Sequence, residues 1–145
     1  MRNNLPKKLD DPGLFTLPCR LGTSKPLDAL AVLGSCINLV PLSLHRSLNL
    51  GKIEPTETIL GLADGSIAYP VGIIKDMVVH VGELTLLADF HVLDMNKDPS
   101  FPLLVGRGFL ATASAIIDCK MSQIVVGEGS ARSIYDVKKH TYYRY

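Results

Sequence analysis

The apolar runs in this chain are strand-length, and turn residues interrupt them about every ten residues. Segment 15–21 alternates apolar and polar positions, which is the period of a half-buried strand. Pro18 lies inside it and lacks a ladder donor, so the strand is expected at an edge or with a bulge. A turn at 22–26 leads into a second strand at 27–33, and the pair reads as a hairpin. Segment 41–50 carries Leu42, Leu44, Leu48 and Leu50 and fits a short helix with Pro41 in its first turn. Strands at 58–63 and 67–74 flank Asp64-Gly65-Ser66, and strands at 77–81 and 84–93 flank Gly82-Glu83; both are hairpin-turn signals. A short buried strand at 102–105, a helical turn at 109–113, and strands at 115–118 and 123–126 complete the set. The pattern predicts an all-β, mainly antiparallel barrel or sandwich with one or two short helices.

A chain of 145 residues with 47% hydrophobic and 20% charged side chains has the composition of one globular domain. Its net charge of +1 and lack of tryptophan argue against a nucleic-acid surface or an anionic-membrane surface. No apolar run is long enough to span a bilayer, and the polar, mixed-charge start does not have the form of a signal peptide. The three cysteines, Cys19, Cys36 and Cys119, have no CxxC spacing, which favours reduced thiols and an intracellular setting, cytoplasmic or nuclear. Residues 1–13 read as a linker or tail because of their charge and of Pro6 and Pro12. Apolar periodicity fades again near Gly129, so the folded domain is expected over 14–126, with 127–145 as a second tail or linker.

Three stretches then stand in an informative order. The first is Ala29-Leu30-Ala31-Val32-Leu33-Gly34-Ser35-Cys36-Ile37-Asn38-Leu39-Val40-Pro41. The second is Leu62-Ala63-Asp64-Gly65-Ser66 followed by Tyr69-Pro70-Val71-Gly72-Ile73-Ile74. The third is Ala88-Asp89-Phe90-His91-Val92-Leu93-Asp94-Met95, then Pro102-Leu103-Leu104-Val105-Gly106-Arg107-Gly108-Phe109-Leu110. Together they resemble the aspartic protease domain of plant Ty3/gypsy-type LTR retrotransposons, a retropepsin-like family. Its active-site segment reads apolar–apolar–x–Asp–Leu–Gly–Ala–Ser–Ile–Asn–Leu–Met–Pro. The resemblance implies a retropepsin-like acid-protease barrel that works as a homodimer on an extended peptide or polyprotein segment, without cofactor or metal. By the same resemblance Asp64, Gly65 and Ser66 form a substrate-covering flap. Gly106 and Arg107 open a short helix behind the catalytic loop, the arginine bracing that loop or the dimer partner through a carboxylate; because 29–53 holds no carboxylate, a solvated surface arginine is an equal reading.

The chain departs from the family at the position that carries the chemistry. In such enzymes each protomer supplies one carboxylate, and the two share a proton because they cannot both ionise at close range. One activates water while the other protonates the substrate. Val32 stands where that aspartate belongs, before Leu33, Gly34 and Ser35. Valine has no lone pair and no exchangeable proton, so it performs no acid–base work. There is no Asp or Glu between Asp28 and Glu54, and Asp28 is roughly 13 Å from Val32 along an extended strand. A turn-forming role for Asp64 outweighs a substrate contact. Cys36 reads better as a buried inert thiol than as a nucleophile served by His45. Asp118 reads as a turn cap, and His80 and His91 as solvent-facing strand positions. The histidines show no metal-ligand spacing.

The sequence therefore predicts an aspartic-peptidase-like domain of the polyprotein-processing type that has lost catalysis. The alternative is a domesticated peptide-binding or dimerisation module on the same fold.

Overall fold

A computed structural model describes residues 5–6, 13–61, 65–95, 101–127 and 129–136. Six strands close into a barrel in the order β1-β2-β8-β3-β7-β6. They are β1 (Thr16–Leu21), β2 (Leu27–Ala31), β3 (Asn38–Pro41), β6 (Gly72–Val81), β7 (Leu84–Leu93) and β8 (Leu103–Val105). A two-stranded hairpin of β4 (Leu60–Gly61) and β5 (Ile67–Ala68) stands beside them. A three-stranded sheet joins β9 (Ile116–Asp118), β10 (Gln123–Val126) and β11 (Ser133–Asp136). The helices are α1 (Leu42–Leu48) and α2 (Arg107–Thr112). The fold is thus an all-β barrel with short helices, as expected. None of the helices described is long and apolar enough to cross a membrane.

Alternation builds the barrel wall. Along β1, Leu17, Cys19 and Leu21 point into the core while Arg20 faces out. At Pro18 the strand pairs with β2 alone, and its pairing with β6 begins at Arg20. The missing N–H of Pro18 therefore leaves no gap in a ladder. Most pairs are antiparallel, but β2 runs parallel to β8, and β3 parallel to β7. These two parallel pairs bring the end of β2 and the start of β3 against the segment leading into α2.

Three expectations need correction. The sequence suggests separate strands at 67–74 and 77–81, whereas β6 is continuous over Gly72–Val81. Ile74 and Met77 both face the core, a spacing of three that breaks a period of two. A bulge between them absorbs the extra residue, with Asp76 at φ 52°. The segment 127–145, expected to be a tail, contributes β11, which pairs with β10 from Gln123↔Asp136 to Val126↔Ser133. Its apolar residues Ile134 and Tyr135 are too few to signal a strand locally; pairing with β10 supplies the order. Strand β2 also stops at Ala31, so Val32 is already in the following turn.

The core holds Phe90, Leu17, Leu103 and Val40 at its centre, all within 1% of complete burial. Ile124 and Val126 of β10 join the same cluster, so the three-stranded sheet packs on the barrel instead of hanging from it. Phe109 and Leu110 seat α2 on that core. The last residues of β7, Phe90 to Leu93, are all buried; Phe90 and Val92 lie in the core, and His91 meets Thr58 of the segment 51–59, which pairs with β6 at Glu54↔Ile73.

Candidate functional site

The site predicted from sequence is a single turn after β2. The Val32 N–H donates to the Val105 carbonyl at 2.9 Å, and the Val32 carbonyl accepts from the Ser35 N–H at 3.2 Å. Leu33 and Gly34 form the tip of this turn, and Leu33 is 57% exposed. Gly34 does not have a left-handed φ, and a Cβ built on it meets nothing within 4 Å. The turn itself therefore does not require a glycine there.

The base of the turn is fixed by three elements. Ser35 Oγ donates to the Ile37 carbonyl at 2.8 Å and accepts the Ile37 N–H at 3.3 Å. From the start of α2, the Arg107 N–H donates to the Ser35 carbonyl at 2.9 Å. Beside it the Gly106 N–H donates to Asn38 Oδ1 at 2.8 Å, and Asn38 Nδ2 donates in turn to the Asp89 carbonyl on β7 at 3.0 Å. Gly106 has no room for a side chain, since a Cβ would lie 2.6 Å from the carbonyl oxygens of both Ser35 and Ile37. Here glycine is required by close approach.

Of the two readings of Arg107, the structure shows the solvated surface side chain. Its side chain is exposed and forms no ion pair among the described residues; its backbone N–H does the bracing. No carboxylate occurs over 29–53 to receive the guanidinium. Asp64 lies outside the described residues. Gly65 takes φ 86° and Ser66 is exposed, on the descending side of the β4–β5 hairpin. The hairpin expected from Asp64-Gly65-Ser66 is therefore present, although its paired strands are only two residues each.

The thiols also redistribute. Cys36, expected to be buried, is exposed, and lines a groove of about 490 Å³ with Asn38, Asp89 and Phe109. Cys19 is the buried cysteine; burial, reinforced by the nearby Asp28 charge, pushes its thiol up to about 12. His45 is engaged in α1, its Nδ1 accepting the Leu50 N–H at 3.3 Å. Asp118 caps a turn as expected, accepting the Met121 N–H at 2.9 Å. His91 is not solvent-facing: it is 7% exposed and its Nε2 lies 3.0 Å from Thr58 Oγ1. Among the described residues, no group of three or more His, Cys, Asp or Glu side chains is placed to hold a metal ion.

Two residues escape a sequence reading. Asn38 stands in the first matched stretch without an assigned role, because its two partners are 51 and 68 positions away. His91 sits at an outward position of β7, and only tertiary structure reveals that another segment covers it.

The arrangement offers a braced turn with an apolar residue at its head. Val32 supplies no proton, and the nearest polar groups of the turn are already paired with backbone. No protein-family profile matches the sequence, and no curated protein matches it. Among solved structures, the chain is similar to the retroviral protease-like domain of Ddi1 from Leishmania major, with a TM-score of 0.59 and 16% identity over 78% of this chain and 86% of that one. At that identity the likeness establishes the fold, a retroviral protease-like barrel.

Proposed function

We propose that this chain is an aspartic-peptidase-like domain, derived from a plant LTR-retrotransposon protease, that does not hydrolyse peptides. The observation that carries this reading is the placement of Val32. It heads a turn after a barrel strand, and the turn is braced from behind by Gly106 and Arg107 on a retroviral protease-like fold. An aspartate at that position supplies the shared-proton pair of the aspartic mechanism, and valine does not. The element origin is supported by the order of the three matched stretches and is tested by reading the genomic sequence downstream, where a reverse transcriptase is expected.

The same reading makes the working unit a homodimer. One chain carries one such turn and one flap hairpin, and two copies complete a cleft. Exposed Leu33 and Cys36 and the open space beside Gly34 fit a surface at which two turns meet. Sedimentation at tens of micromolar is expected to give a dimer; a monomer throughout that range contradicts the pairing.

A second reading is favoured by the exposed apolar side chains of the hairpin, Ile67 at 60% and Tyr69 at 71%. These suit a module that holds an extended peptide by strand addition without cutting it. A digest of casein or mixed peptides at several pH values, with and without pepstatin, is expected to show no cleavage above background. Pepstatin-sensitive cleavage by the natural chain overturns the inactive reading. Saturable binding of an uncut peptide selects the module.

A further inference from the structure

Residues 51–59 form a strap that follows α1, bridges to β6, reaches β7 and runs into β4. The strap is fastened at two places. At Glu54 it exchanges two backbone hydrogen bonds with Ile73, each 2.8 Å, directly over Gly72, where a Cβ would collide with the Glu54 carbonyl and the Ile53 side chain. At Thr58 the fastening is a side-chain contact from β7: His91 Nε2 lies 3.0 Å from Thr58 Oγ1. His91 is 7% exposed, and its Nδ1 is buried with no partner.

This geometry suits a neutral imidazole. The Thr56 hydroxyl donates to Thr58 Oγ1 at 3.0 Å, which leaves the Thr58 hydroxyl proton free to donate to Nε2. A neutral ring then has one nitrogen satisfied and one buried nitrogen unmatched. An imidazolium has two N–H donors and one acceptor within reach, so protonation adds a buried charge to a buried unsatisfied donor. Burial accordingly pulls the His91 pKa below its ordinary 6.5, with Asp89 acting in the opposite direction.

We propose that the His91–Thr58 contact is a pH-sensitive fastening, which holds the strap on the barrel wall while His91 is neutral and releases it when the ring takes a proton. The other titratable and charged groups on the surrounding elements are Lys75, Asp76 and His80 on β6, Asp94 just after β7, Lys52, Glu54 and Glu57 on the strap, His45 and Arg46 on α1, Cys36 in the turn before β3, and Arg107 on α2; β3 carries none. Above about 6.5 both the fastened and the released forms are neutral, and the fastening is at full strength. As pH falls below that value the released form binds the proton first, so the fastening weakens until the depressed pKa of the fastened form is passed. Release at Thr58 frees the strap back towards Glu54, so protonation of His91 governs how firmly the entry to the β4–β5 hairpin is held. The inference rests on the fold and not on the catalytic reading.

The test is residue-resolved amide exchange of the whole chain from about pH 7.5 to about pH 5, corrected for intrinsic exchange, in the natural protein, His91→Gln and Thr58→Val. Amides at 56–60 are expected to exchange several-fold faster at the acid end in the natural protein, while those of β6 and β7 stay protected. His91→Gln, which keeps a hydrogen-bonding group and does not titrate, is expected to be flat. Thr58→Val is expected to exchange fast at both ends of the range. The proposal is overturned if the natural protein is flat, if His91→Gln retains the acid rise, if Thr58→Val keeps full protection at neutral pH, or if β6 and β7 open together with the strap.

Discussion

The N–H of Gly106 and the side-chain oxygen of Asn38 meet at 2.8 Å across 68 residues of sequence, and this bond ties the start of β3, just after the turn headed by Val32, to the start of α2. The other end of the same amide reaches the Asp89 carbonyl, so one side chain joins β3, α2 and β7. Asn38→Leu keeps the branched shape, with a larger side chain, and leaves the Gly106 N–H and the Asp89 carbonyl without this partner. A loss of about 1–3 kcal/mol is expected in chemical denaturation. Asn38→Asp retains the acceptor for the Gly106 N–H but sets a carboxylate oxygen against the Asp89 carbonyl, so it should also destabilise.

The two glycines of the site should behave oppositely. Gly106→Ala places a Cβ 2.6 Å from two backbone carbonyl oxygens, which must move. The expected cost is about 1–3 kcal/mol. Gly34→Ala enters open space at an ordinary φ and should lie within about 0.5 kcal/mol of the natural chain in urea midpoints measured on dilute monomer.

Thiol labelling should separate the cysteines. At neutral pH a soluble alkylating reagent is expected to modify the exposed Cys36 and Cys119 and to spare Cys19, read by mass spectrometry before and after unfolding. The Cys19 thiol is raised in the fold from 9.0 to about 12, so the folded state holds this proton more tightly than the unfolded chain. Its contribution to stability is complete below about pH 9 and is lost as pH climbs from there towards about 12, which should appear as a falling denaturation midpoint over that window.

Restoring the carboxylate tests the inactive reading from the other side. Val32→Asp is expected to give some pepstatin-sensitive cleavage of casein at acid pH, because a dimer of the variant carries two carboxyls that share a proton. It should also cost on the order of 1–3 kcal/mol, since Val32 is partly buried and its replacement must be solvated or hydrogen-bonded. Cleavage that is equal in the natural chain and the variant contradicts the role given to this position.

The sequence alone determined the class of fold and marked the turn on which the proposed function rests. Alternation along β1, the turn at Gly82 and the strand-length runs are local properties, written in side-chain period and backbone preference, and so they could be read without neighbours. That Val32 offers no acid–base group is a matter of residue type and needed no coordinates; that the position is catalytic belongs to the proposed reading. Tertiary structure decided what depends on contacts distant in sequence. The bulge at Asp76 joined two apparent strands because the barrel core demanded that Ile74 and Met77 share a face. Strand β11 formed in an apparent tail because β10 offered a free edge. Cys36 and His91 exchanged their expected environments, since burial of a side chain on a strand or turn is set by what passes over it. For Cys36 that is open groove, and for His91 it is the strap carrying Thr58.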